Sequence, residues 1–328
     1  MTIDLLDRWQ RYMRILLSLS EDSCRSYRSK VEEFLAWLAE VDRRAEPTSI
    51  SRKDLEDWLE HLFYKGNGNA TRAAKITALQ HLFRWLVYEE IVVNDITENI
   101  PKPKLRRQFV QKFTQAEVYR FFRQCDLTTN KGLRDAAILI MLVFAGLRDG
   151  EACNLAMSDL VDDGNHVDVN IVRGKKESFR TVYLWKSPSI IVREWFSIRL
   201  SQGVGPNDRL FVSFRKGDQC QGQPLKQSDI GYLIKTLATR AHIRKPKITP
   251  HMFRATHISD LRHIRGYDLA AIAERAGHKQ ISTTDRYIPA RGRIHREYPS
   301  LAAYWNEFTK VWSTEGSDEQ QQPLVGRP

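Results

Sequence analysis

Two prolines in a basic stretch, IPKPKLRRQFVQKF at residues 100–113, constrain this chain more than any other feature. Proline has no amide hydrogen for a helix interior, and it pushes the residue before it out of the helical region. No helix can run through positions 101 and 103, so the chain must fold on either side of them. Before the break, apolar residues recur at spacings of three and four. In DSCRSYRSKVEEFLAWLAE (22–40) they are Tyr27, Val31, Phe34, Leu35 and Leu38. SISRKDLEDWLEHLF (49–63) opens on Ser51 as a helix cap and carries Leu55, Trp58, Leu59 and Leu62. TRAAKITALQHLFRWLVYEE (71–90) adds Ile76, Leu79, Leu82, Phe83 and Leu86. With a further helix near residues 3–17, a four-helix unit is predicted over residues 1–100.

Residues 101–112 then form a basic linker, and 113–298 a second domain. The latter opens on TQAEVYRFFRQC, where Thr114 and Glu117 make a capping box. The apolar run AAILIMLVFAG (136–146) is too short to span a membrane and reads as a buried helix stopped by Gly146. HVDVNIV, RGKKESF and RTVYL (166–184) read as strand, turn and strand, and DRLFVS (208–213) as another short strand. Several short helices are expected between 249 and 290. The whole is mainly α with a small β-sheet or hairpin. PSLAAYWNEFTKVW (299–312) has the look of an amphipathic helix, docking on a neighbouring subunit or on its own domain; the polar end to residue 328 reads as disordered.

The chain holds 51 Lys and Arg against 40 Asp and Glu, a net charge of +11 and a pI near 9.5. Such a balance favours a polyanionic partner, nucleic acid before an anionic membrane surface. The turn KGNGNATR (65–72) offers flexible glycines with basic ends to such a partner. Lys102, Lys104, Arg106, Arg107 and Lys112 form either a solvated tether or a strand of charge along a phosphate backbone. Cys24, Cys125, Cys153 and Cys220 are too widely spaced for a zinc site or a disulfide framework, which suits a reducing cytosol. The amino terminus carries acids and no apolar core, unlike a signal peptide.

Several polar residues are ordinary one by one. Arg148 follows a glycine stop, Lys175 sits at a hairpin tip, and His251 and Arg254 share a helix face. His278 lies in a Gly-His turn with Tyr287 nine residues on. His257 and His263 lack partners at metal-ligand spacing and read as surface or packing residues; Tyr27, Tyr88 and Tyr119 hold core-like helical positions. Gly174-Lys175 is not a phosphate-binding loop, because Lys176 stands where a hydroxyl is needed. Taken together, two arginines, a lysine, two histidines and a tyrosine with no acidic cluster fit one chemistry. Paired guanidiniums grip a phosphodiester and stabilise its transition state. A tyrosine oxygen attacks the phosphorus, histidines take its proton, and a lysine protonates the departing 5′ oxygen. No metal or other cofactor is called for.

These residues resemble the tyrosine recombinases, the phage integrase and Xer-type family. GLRDGEACNLAMSDL (146–160) resembles the first box, with Arg148 as a phosphate clamp and Glu151 as its support. VRGKKESFRTVYL (172–184) resembles the family hairpin, whose lysine falls on Lys175, with the neighbouring Lys176 as the alternative. TPHMFRATH (249–257) resembles the His-x-x-Arg box, departing from it at Phe253 and in the residues after Arg254. AGHKQISTTDRY (276–287) resembles the last box. The resemblance implies a SAM-like helical core-binding domain, an α+β catalytic domain and a 3′-phosphotyrosyl intermediate formed without metal or ATP. It implies a tetramer on two synapsed double-stranded sites with inverted repeats, in the bacterial cytoplasm on the nucleoid. The helices begin at once, which implies the simple form without an arm-binding domain. Integration, excision, resolution and transposition are all compatible with these residues. A type IB topoisomerase, or a DNA-binding regulator that kept the fold, are the alternatives.

Overall fold

A computed structural model describes residues 3–41, 45–104, 110–164, 166–173, 178–214, 220–263 and 267–277. The chain separates into two units, Met1–Arg107 and Gln108–Pro328. The first contains helices α1 (Ile3–Ile15), α2 (Glu21–Glu40), α3 (Arg52–Tyr64) and α4 (Asn69–Tyr88). Ser20 caps α2, and Ser51 and Asp54 close a capping box at α3, satisfying amides that the first turn leaves without partners. The stripes meet in one core of Trp9, Phe34, Trp58, Leu79, Phe83 and Trp85, with the Phe34 and Trp58 rings 4.9 Å apart. Trp58 is thus a packing residue, as its helical position predicts, and Trp37 packs in the same core. Tyr88 is not: its register turns it outward, and it is 63% exposed. The segment after α4 returns to the turn that precedes it, where Asn69 Nδ2 donates to the Lys104 carbonyl at 2.8 Å. Lys102 and Lys104 are exposed there.

The second unit is built around α6 (Asn130–Val143), buried along nearly its full length. Before it stands α5 (Gln115–Phe122), opened by the Thr114–Glu117 capping box. After it come α7 (Asp149–Asn154) and strands β1 (Leu160–Asp162), β2 (His166–Arg173) and β3 (Ser178–Trp185). The three strands form an antiparallel sheet in the order β1-β2-β3, with Val169 opposite Val182. The hairpin follows the sequence pattern; β1 does not, being three residues without a clear alternation. Helix α8 (Lys186–Ser201) packs on the sheet and on α6. Strand β4 (Val212–Phe214) pairs with β5 (Cys220–Pro224), and α9 (Gln227–Arg240) follows. Helices α10 (His251–His263) and α11 (Leu269–Ala276) end the described chain, α10 against α6 and α11 against both α10 and β3. The architecture is mainly helical with small antiparallel sheets, as expected. Among the described residues no helix is long and apolar enough to cross a membrane.

Candidate active site

Glu151 organises the site. It is the third residue of α7, and Arg148 is the residue that caps this helix. From that cap, the Arg148 backbone amide donates to Glu151 Oε2 at 2.9 Å and its Nη1 to Oε1 at 2.8 Å. Arg180, from β3, donates to the same oxygens at 3.1 Å (Nη1 to Oε1) and 2.7 Å (Nη2 to Oε2). Arg254, from α10, adds a third guanidinium, its Nη1 lying 3.9 Å from Oε2. Burial opposes the ionisation of Glu151, but the hydrogen bonds and charge of Arg180, then those of Arg148, outweigh it. The carboxyl is held below its ordinary value.

The arginines also close the site on its other side. Arg254 is wholly buried and donates to the Gly146 carbonyl at 2.5 Å and to the Ala276 carbonyl. Arg148 Nη1 reaches the same Ala276 oxygen at 3.4 Å. This is the carboxyl end of α11, where cations are favoured by the helix dipole. Both flanking turns need glycine. Gly146 has φ +65°, and a Cβ there would lie 2.4 Å from His257 Cδ2. Gly277 has φ +59°, and its Cβ would lie 2.8 Å from Arg180 Nη1. His257 is a packing residue: its Nδ1 donates to the Val143 carbonyl at 3.0 Å, which can only accept.

His251 starts α10 on the exposed side, one turn before Arg254. Desolvation first, then the charges of Arg254 and Arg148, lower its pKa from the ordinary 6.5. His251 is exposed as a residue, which moderates the desolvation, whereas the two guanidinium charges act on it regardless. A neutral imidazole beside two cations can accept a proton at neutral pH. Arg148 keeps 28% of its side chain open, Arg254 none, so Arg148 presents the accessible cation.

The structure thus brings Arg148, Glu151, His251 and Arg254 together. Lys175, Lys176, His278 and Tyr287 lie outside the described residues, as do Arg106, Arg107 and the segment 299–312. Lys112 is placed against α10: its ammonium donates to Ser259 Oγ, and desolvation lowers its pKa against the pull of Asp260. Next to it the Phe113 amide donates to Thr256 Oγ1 at 2.9 Å. Arg180 is the residue that sequence reasoning missed. Its signal was the alternation of FRTVYL, where Phe179, Thr181 and Tyr183 point out and Arg180 shares the inward parity of Val182 and Leu184.

The chain is similar to known proteins along most of its length. Residues 111–292 match the phage integrase family, and residues 6–90 match the phage integrase N-terminal SAM-like domain. The chain is 30% identical to tyrosine recombinase XerD of Oceanobacillus iheyensis over 298 residues, covering 88% of this chain and 95% of that protein. The fold is similar to that of a lambda integrase dimer bound to a COC′ core site, with TM-score 0.67, 17% identity and coverage of 91% and 99%. It is also similar to that of a lambda integrase tetramer bound to a Holliday junction, with TM-score 0.64, 18% identity and coverage of 90% and 79%. A glutamate that gathers two box arginines, inside a match spanning more than half of the chain, leaves one conclusion: the chain belongs to the phage integrase family and is a tyrosine recombinase.

Proposed function

We propose that this protein cuts and rejoins double-stranded DNA at short sites with inverted repeats, as a homotetramer on two synapsed sites. The meeting of Arg148 and Arg254 at Glu151, with His251 beside the two arginines, carries this reading. Arg148 and Arg254 meet the non-bridging oxygens of the scissile phosphate, a charged acceptor stronger than the carbonyls that Arg254 otherwise holds. Tyr287 Oη forms a bond to phosphorus as the bond from phosphorus to the 5′ oxygen breaks. The tyrosine proton passes to His251 or His278, and Lys175 gives a proton to the 5′ oxygen. The ester keeps the bond energy, so the free 5′ hydroxyl of a partner strand can reverse the step without ATP. Assembly as a tetramer draws on the lambda integrase likeness; a place of action in the bacterial cytoplasm, on the nucleoid, goes with a DNA substrate and with an XerD relative from a bacterium. The domain bounds that go with this reading are a helical unit over residues 1–100, a linker over 101–112 and the catalytic domain over 113–298.

Three measurements test the parts. Relaxation of a supercoiled plasmid without any recombination site would mark a topoisomerase instead; cleavage confined to one site supports recombination. Because the His251 pKa is lowered, its neutral form persists to lower pH than that of a free histidine. The acid limb of single-turnover cleavage should therefore fall below pH 6.5, and a limb at or above that value would remove His251 from the proton path. Lys175→Ala should be rescued by a 5′-bridging phosphorothiolate, whose sulfur leaves without a proton. Rescue of Lys176→Ala in its place would move the role by one residue.

The linker gives a further prediction. Changing Lys102, Lys104, Arg106 and Arg107 to Gln should flatten the slope of log affinity against log salt by about 3–4, since each phosphate contact contributes about 0.9. Sequence preference should survive, because phosphate contacts position a protein without reading bases. An unchanged slope would make the segment a solvated tether.

A further inference from the structure

We propose that Arg180 is a positioning residue for phosphoryl transfer: it holds Glu151, and through it Arg148, in the geometry that meets the scissile phosphate. The inference rests on Arg148 acting as a phosphate clamp, as proposed above. Nothing in the motif boxes marks Arg180, which lies in the hairpin strand beyond the box lysine.

The donors on Glu151 account for its whole capacity. A carboxylate offers about four acceptor sites. Arg148 fills two, with its amide at 2.9 Å and Nη1 at 2.8 Å, and Arg180 fills two, at 3.1 and 2.7 Å. Each oxygen takes one bond from each arginine. The carboxylate therefore cannot rotate toward Arg148 without breaking its bonds to Arg180, which fixes where the Arg148 guanidinium stands. Arg180 itself does not face DNA: its side chain and that of Glu151 are each 8% exposed, against 28% for Arg148. The same guanidinium packs under the backbone of Gly277, the residue before His278. One buried side chain on β3 thus touches the support of the first box and the turn that leads into the last.

A merely structural arginine would also sit in a buried ion pair, so the test must separate geometry from folding. Arg180→Gln, Arg180→Lys and Arg148→Ala are compared with the parent chain in single-turnover cleavage of a nicked duplex. Each is run on a phosphodiester and on a methylphosphonate, in which a methyl group replaces one non-bridging oxygen and removes the charge that the arginines must balance. Arg180→Gln should slow phosphodiester cleavage on the order of 10–100-fold, by analogy with the outer partners of metal ligands. The deficit should shrink on the neutral linkage. Arg180→Lys keeps a charge without the two-pronged fork, and should fall between parent and Gln variant. In an Arg148→Ala background, Arg180→Gln should add little further loss, as expected for two residues acting through one interaction.

Equal losses on both linkages, or full additivity with Arg148→Ala, would reduce Arg180 to fold support and overturn the proposal. Normal cleavage by Arg180→Gln beside a crippled Arg148→Ala would overturn it alone. Unimpaired cleavage by Arg148→Ala would overturn the clamp reading and this inference with it. If the Gln variant cannot be purified folded, the Lys variant carries the same comparison of linkages.

Discussion

Replacing Tyr287 by Phe should abolish the covalent protein–DNA adduct while leaving DNA binding nearly intact. The substitution deletes one oxygen and keeps the ring, so contacts made by the ring and by the rest of the protein survive. Only the attack on phosphorus is lost, and no neighbouring hydroxyl at the wrong distance can replace an oxygen held for in-line displacement. A suicide substrate with a nick beside the scissile phosphate makes the outcome visible. After cleavage the short leaving strand diffuses away, the reverse reaction has no nucleophile, and the adduct persists on a denaturing gel. The parent chain should give a shifted band and Tyr287→Phe none, with equal retardation of DNA on a native gel. An adduct of undiminished yield from the Phe variant would assign the attack to another tyrosine, and peptide mapping of that adduct would name it.

Arg148→Ala and Arg254→Ala should each slow cleavage by about 2.7–4 kcal/mol of transition-state stabilisation, on the scale of a deleted oxyanion donor. Their effects on the folded state should differ. Arg148 is partly open, and its backbone amide still donates to Glu151 when the side chain is gone. Arg254 is fully buried and holds the carbonyls of Gly146 and Ala276, which lose a donor in the variant. A buried group left without its hydrogen bond costs about 1–3 kcal/mol. Thermal unfolding should therefore show a clearly lower Tm for Arg254→Ala than for Arg148→Ala. Single-turnover rates above the melting range of neither protein then report the chemistry. Rates within a few-fold of the parent in a folded Arg148→Ala would rule out its role as a clamp.

Much of this was legible in the sequence, for reasons that can be named. The helical stripes around Phe34, Trp58 and Phe83 were legible because a buried face imposes its period on the chain. The caps at Ser51 and Thr114 were legible because their partners stand three residues away. Arg148, His251 and Arg254 were singled out by fixed spacing in local boxes; the structure brings the two arginines to one carboxylate and sets His251 beside them. The roles of Arg180 and Lys112 were not legible, since each depends on a partner remote in sequence: Glu151 lies 29 residues from Arg180, and Ser259 lies 147 from Lys112. Strands β1 and β5 escaped for a related reason, because three to five residues paired to a neighbour carry no period of their own. Tyr88 shows the opposite failure: it reads as a core-like helical position, but its register turns it outward in the last turn of α4.

The seam at Val110–Phe113 has a consequence for exchanging parts between relatives. Val110 packs beside Ala255, Ile258 and Leu261 of α10, and the Phe113 amide is bonded to Thr256 on the same helix. These four residues travel with the catalytic unit, although the sequence writes the first three of them as the end of a linker. A chimera that grafts a foreign helical unit should join upstream of Val110, so that the recipient keeps the staple beneath its His-x-x-Arg helix. Cutting a few residues later would import a mismatched key into a lock already shaped for this one.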